Sequence, residues 1–340
     1  MKFGTLILYN LVIFLGLLVI CELGFKIFAS DYKYYERTYV GQFENCEAKN
    51  DIDTNWVKLD PTLGWVCKSR VNLKFYRPEL HEIQYQINNQ GFRNPVDFDT
   101  LNPSSLNKRI LLLGDSFLFS ILQKEENTIS TLLHKKLGQE YEILNLAVPG
   151  WGLDQMYLAY KKYVEKINPD QVILLYIDDD ISRLSEAMYW GAGPKPTYKL
   201  EEDTLVERRF EEGKLNLVEA FFVFNCQIIN RIYKYCCEQK SIPIAKKILK
   251  NWAHLEKENS RMLHVVHAPR YFQLSGTKES GHFHIDPVFE KNAIPYYNLR
   301  ESMIQISEEE QKELFHMEDG HPSDQGAQFI ADYILEHIIK

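Results

Sequence analysis

No run of basic residues long enough to track a phosphate backbone occurs in this chain. The 340 residues carry a formal net charge of −8, so nucleic acid is not an expected partner. None of the six cysteines, Cys21, Cys46, Cys67, Cys226, Cys236 and Cys237, makes a CxxC pair, and no histidine joins them in a zinc-like pattern. No metal site is therefore expected. Cys46 and Cys67 would pair as a disulfide only in an oxidising compartment, with separate free thiols as the alternative. Internal repeats and low-complexity tracts are also missing, and with 45% hydrophobic and 25% charged residues the composition is that of a globular protein.

One long apolar run is present. Residues 4–21 read GTLILYNLVIFLGLLVIC, with Asn10 the only strongly polar side chain. A spanning helix needs about 20 mostly apolar residues, and the core of a cleaved signal peptide only about 7–15. The following KIFASD offers a poor cleavage site, because Ile27 or Phe28 stands where a small residue is wanted. The residues before Cys21, LVI, are not those of a lipoprotein cleavage box. An uncleaved membrane anchor over 1–30 is the expectation; a cleaved signal and a buried helix are the alternatives. Lys2 stands before the run and Lys26, Lys33 and Arg37 after it, so the positive-inside count does not favour translocation. The anchor-first layout nevertheless makes an exported globular domain, periplasmic or extracellular, the expected outcome.

Residues 31–105 read as an irregular arm with short strands. Asp60-Pro61 and Leu63-Gly64-Trp65 mark a turn, and YQI before Asn88-Asn89 alternates like a strand. The core begins at 106. Arg109 to Leu113 form a short apolar run that predicts a buried parallel strand, followed by a helix over 127–138. Further strands are expected at 142–146, 171–177 and 261–268, and helices at 153–167, 216–256 and 323–339, the last capped by Ser323. Strands alternating with helices predict an α/β fold with a parallel sheet covered on both faces. Residues 190–215 are turn-rich and charged, and 190–256 is expected as a helical insertion that shapes or covers a substrate site as a lid. Its aromatics, Tyr189, Trp190, Phe221, Phe222 and Phe224, either face a ligand or pack in the core.

Four segments at strand ends carry the chemistry. Gly114-Asp115-Ser116-Phe117 lies where a buried strand gives way to a helix. A serine there can attack a carbonyl while helix N-terminal amides receive the oxyanion. An ordinary turn is the plain alternative. Asn145 to Gln155 (NLAVPGWGLDQ) offers Gly150 as a second backbone donor, or merely a Pro-Gly turn. Asp178-Asp179-Asp180 invites a metal but reads better as a solvated acidic turn. In Glu318-Asp319-Gly320-His321-Pro322-Ser323 a histidine beside carboxylates is placed to act as general base. His264 and His267 read as structural.

In this order the four segments resemble the blocks of the SGNH/GDSL serine hydrolases. Residues 60–93, LNLAVPGWGLDQ, NPDQVILLYI and KPTYKLEEDTL (195–205) look like membrane-anchored bacterial members. The resemblance implies a three-layer α/β/α, flavodoxin-like domain over 106–340. It implies Ser116 as nucleophile, His321 as base, and Asp319, or alternatively Glu318, as the acid. Ser116 and Gly150 amides would line the oxyanion hole. Where the family has asparagine as a third donor, this chain has Asp179, and an ionised aspartate has no hydrogen to give. Such a residue must be protonated or turned away.

The implied activity is ester hydrolysis or acyl transfer through an acyl-serine intermediate, with no cofactor. An O-acetylated glycan or other envelope ester is the expected substrate. Two alternatives stand beside it: a lipid esterase, and a catalytically silent binding or assembly protein.

Overall fold

The structure is a computed structural model that describes residues 12–13, 16–17, 57–69, 75–77, 80–83, 85–98, 101, 107–185, 188–189, 193–208, 227–274, 285–317 and 320–339. By its contacts the chain divides into two units, 1–41 with 215–237, and 42–214 with 238–340. In the first unit Val12, Ile13, Gly16 and Leu17 are helical, as are residues 227–237. The rest of the expected anchor lies outside the described residues. Among those described, no helix is long and apolar enough to cross a membrane.

The second unit opens with two hairpins, β1 (Val57–Asp60) with β2 (Gly64–Cys67) and β3 (Phe75–Arg77) with β4 (Leu80–Ile83). The expected turn between β1 and β2 is closed by Asp60, whose carboxylate accepts from the Thr62 and Leu63 amides at 2.8 Å each. The predicted core then follows: β5 (Lys108–Leu113), α1 (Ser116–Phe119), α2 (Ile129–Leu137), β6 (Tyr141–Asn145), α3 (Leu153–Ile167), β7 (Gln171–Tyr176) and α4 (Asp178–Ser182). Two more antiparallel pairs come next, β8 (Met188–Tyr189) with β9 (Gly193–Pro194) and β10 (Thr197–Glu201) with β11 (Thr204–Arg208). The chain ends with α5 (Gln227–Glu258), β12 (Leu263–His267), α6 (Asp286–Lys291), β13 (Tyr296–Asn298), α7 (Leu299–Met303), α8 (Glu308–Glu313) and α9 (Asp324–His337). Ser323 caps α9 as expected, accepting from the Gly326 amide.

The five-stranded sheet runs β13-β12-β7-β5-β6, and every pairing is parallel. Nearly every residue of β5, β7 and β12 is buried, which is what helices on both faces demand of a parallel strand. Counted along the chain, the strand order is that of the flavodoxin-like doubly wound sheet. The step from β5 to β6 runs opposite to every later step. Right-handed crossovers therefore put α2 on one face, and α3 and α5 on the other. In agreement, α2 touches α9, whereas Trp252 of α5 meets the rings of Tyr157 and Tyr160 of α3 at 5.4 and 4.9 Å. The direction reverses between β5 and β7, so their carboxyl ends frame the crevice where such sheets hold their ligands.

The arm packs into the unit that holds the sheet, with Trp65, Tyr85, Phe92 and Phe98 fully buried. Two expectations need correction. Residues 197–208 form a tight hairpin turning at Glu202 and Asp203, both with positive φ (46° and 66°). The C-terminal half of α5 buries Ala245, Ile248, Leu249 and Trp252 and is a layer of the fold, not a lid. A parallel step from β7 to β12 requires a crossover of this kind. Residues 190–192 and 209–226, with Trp190, Phe221, Phe222 and Phe224, lie outside the described residues. Cys67 is a buried free thiol whose pKa burial pushes up, which makes it inert.

The junction of β5 with α1 tolerates no side chain at Gly114. A Cβ there would stand 2.7 Å from Leu118 Cβ and 2.8 Å from the Leu175 carbonyl of the neighbouring strand. Gly114→Ala is expected to cost about 1–3 kcal/mol by overpacking, read as a lowered urea midpoint at unchanged m-value.

Candidate active site

The turn after β5 sets Ser116 as the first residue of α1. Asp115 caps that helix, its Oδ1 accepting from the Phe117 amide at 2.9 Å, so the Ser116 side chain is delivered at the carboxyl end of the sheet. Two hundred residues later the chain returns through a braced loop. The Phe315–Pro322 bridge, His316 N–H to the His321 carbonyl (2.8 Å) and Gln123 Nε2 to the Pro322 carbonyl (2.6 Å) fix the position of His321. The outcome is direct: His321 Nε2 stands 2.8 Å from Ser116 Oγ. That is hydrogen-bond reach for a base and its nucleophile. Ser116 Oγ also lies 3.3 Å from Asp115 Oδ2, the longer of its two contacts. Ser116 is only 8% exposed. The acid expected at Asp319, or at Glu318, lies outside the described residues.

Gly150 sits in the turn after β6. Trp151 N–H donates to the Val148 carbonyl at 3.3 Å, and Gly150 has φ 80°. Val148 N–H donates to the Gly114 carbonyl at 3.3 Å, which ties this turn to the one that carries Ser116. Among the described residues neither the Ser116 nor the Gly150 amide donates to another group. Buried amides are nearly always engaged, so two in adjoining turns suit a site that receives a negative oxygen.

The acidic run is not a solvated turn. Each carboxylate serves a different partner. Asp178 accepts from Gln273 Nε2 (2.6 Å) and meets His267 Nε2 at 2.9 Å, joining the ends of β7 and β12. Asp180 is fully buried, accepts from the Ile177 amide (2.9 Å) and lies 2.5 Å from Arg183 Nη1. Burial and the charge of Asp115 push the Asp180 pKa well up, against the pull of Arg183. Asp179, 44% exposed at its side chain, accepts from Arg270, with Arg183 Nη2 at 3.9 Å. Its Oδ2 is held as an acceptor and, ionised, has no hydrogen to give an oxyanion. The two guanidinium groups offset the negative charge that would oppose an oxyanion. His267 and His264 are buried and structural in setting, as expected, His264 lying 3.3 Å from the Tyr297 hydroxyl.

Arg183 was not singled out from the sequence. Its Nη1 reaches Asp180, Asp115 Oδ2 (3.3 Å) and the Trp151 carbonyl (2.9 Å), so one side chain joins the serine, glycine and acidic segments. The spacing of Asp180 and Arg183, three apart across the end of α4, was the only available signal.

No family model matches the chain, and no curated protein matches it. Among solved structures it is similar to an acetyl xylan esterase, at 14% identity over 68% of this chain and 100% of that one, with a TM-score of 0.45. A lipase/acylhydrolase from Enterococcus faecalis shares 14% identity over 68% of this chain and 95% of that one, at a TM-score of 0.40. For a GDSL-like lipase from Bacteroides thetaiotaomicron the values are 13%, 70% and 92%, at a TM-score of 0.41. Likeness at this level leaves the chemistry to be argued from the residues themselves.

Proposed function

We propose that the protein is a serine esterase that removes or transfers a small acyl group, foremost acetyl, from a glycan or other envelope ester. The observation that carries this is the 2.8 Å contact between Ser116 Oγ and His321 Nε2. With its Nε2 unprotonated, His321 takes the hydroxyl proton as Ser116 attacks the ester carbonyl. The Ser116 and Gly150 amides receive the oxyanion. Collapse expels the alcohol, which takes its proton from the imidazolium and leaves an acyl-serine. Water, or a sugar hydroxyl in the transferase case, then attacks under the same base. Asp319, or Glu318, would hold the imidazole and stabilise its charged form. The apolar run at 4–21 would tether the domain to a membrane, with the domain on the exported side. A lipid ester is the neighbouring substrate class, given such a tether.

Asp179 favours a second reading, a silent member of the same fold that binds and does not turn over, since it removes a third donor. One experiment separates the two. The domain is treated with a fluorophosphonate probe and weighed intact beside Ser116→Ala and His321→Ala. A single adduct that needs both residues is expected. Folded protein that forms no adduct overturns the esterase and leaves the binding protein.

A further inference from the structure

Between Val148 and Trp151 the chain makes a β-turn with Pro149 and Gly150 at its centre. Proline at the second position and a φ of 80° at the third are the type II arrangement. Types I and II differ chiefly by a half-turn of the central peptide, here the one joining Pro149 to Gly150. Glycine accepts either form. A trans peptide is planar, with C=O and N–H pointing in opposite directions. Whatever holds the Pro149 carbonyl therefore aims the Gly150 N–H.

The fully buried Trp65 holds it. The indole Nε1 of Trp65, on β2, donates to the Pro149 carbonyl at 3.1 Å. The indole of Trp151 returns the contact, donating to the Trp65 carbonyl at 2.9 Å, and Gln155 Nε2 donates to the Leu63 carbonyl at 2.7 Å. The β1–β2 hairpin is thus fastened to the segment that follows β6 at three points, one of them the carbonyl of the turning peptide.

We infer that Trp65 is a positioning residue for catalysis: its indole N–H selects the type II peptide and so aims the Gly150 amide at the oxyanion. The inference rests on the esterase reading and on Gly150 as a donor in it. A hydrogen bond at the carbonyl also polarises the peptide and makes the opposite N–H a better donor. Were the peptide to flip, the Pro149 carbonyl oxygen would face the developing negative charge. Complete loss of one such donor costs about 10²–10³ in rate. A turn released to exchange between both forms loses part of that.

The test compares Trp65→Phe, Trp151→Phe, Gly150→Ala and the Trp65→Phe/Gly150→Ala double variant on p-nitrophenyl acetate, with thermal unfolding of each. Trp65→Phe keeps an aromatic ring in the cavity and removes the donor together with part of the indole's volume, the latter matched by the same change in Trp151→Phe. Its kcat is expected to fall roughly 10–100-fold with KM changed less than about 3-fold, and fluorophosphonate modification of Ser116 to slow in proportion. Trp151→Phe removes a buried indole bond of the same kind away from the turning peptide. It should lower the unfolding temperature while kcat stays within about 3-fold. Gly150→Ala strains the positive φ and drives the same flip without touching the indole, so it reports even if Trp65→Phe does not fold. The double variant should be no worse than Gly150→Ala alone, because both act through one peptide. Unchanged kcat in Trp65→Phe, equal kcat losses in Trp65→Phe and Trp151→Phe, or additive losses in the double variant would overturn the inference while the esterase stands. A wild-type protein that neither turns over nor forms the Ser116 adduct sinks both.

Discussion

Ser116→Ala and His321→Ala should each lower kcat/KM for an activated ester by roughly 10⁴-fold or more, with the double variant no slower than either single one. Residues that act as a unit lose nearly everything at the first deletion, because a serine without its base and a base without its serine are equally idle. The contact that licenses this, Ser116 Oγ to His321 Nε2 at 2.8 Å, spans 205 residues of sequence. Unfolding temperatures should move little, since neither side chain fills core volume as the leucines of β5 do. Additive losses across the pair, or activity that survives Ser116→Ala, would place the chemistry elsewhere.

The largest stability effect is expected away from the crevice. Asp154, at the start of α3, and Lys195, just before β10, form an ion pair in which both side chains are wholly shielded from water. Burial pushes the Asp154 carboxyl pKa up, and Lys195 opposes that. Lys195→Met keeps the aliphatic stem and strands the carboxylate, which in buried pairs costs about 3–5 kcal/mol. At about 2–4 °C per kcal/mol for a domain of this size, the unfolding temperature should drop by roughly 10 °C. Asp154→Leu/Lys195→Met, which replaces both charges by apolar groups, should recover most of that loss. If the double variant melts as low as the single one, the pair is not the source of the effect, and packing against Gly64, whose Cβ would stand 2.9 Å from Lys195 Cβ, takes its place.

The core strands were legible because a parallel strand covered on both faces is a continuous apolar run, and β5, β6, β7 and β12 were located to within two residues at each end. Helix α3 was bounded by its turn residues and α9 by Ser323. β13 was missed: it is three residues long and only half-buried, so no periodicity marks it. The β10–β11 hairpin was missed because its turn uses Glu202 and Asp203 in place of glycine or asparagine. The three aspartates read as a solvated turn because no other ligand cluster accompanies them in the sequence. His267 and Arg270, which engage Asp178 and Asp179, lie 89 and 91 residues further along the sequence.

The sequence by itself determined the alternation of elements, the strand end that bears Ser116 and the segment that bears His321, since each depends on local hydrophobic pattern and turn chemistry. Only the tertiary structure decided that Arg183 joins three segments, that Asp179 is held as an acceptor, and that Trp65 grips the Pro149–Gly150 peptide. Those contacts span up to 91 residues and depend on which faces meet once the sheet has closed, a matter of packing geometry that no local pattern encodes.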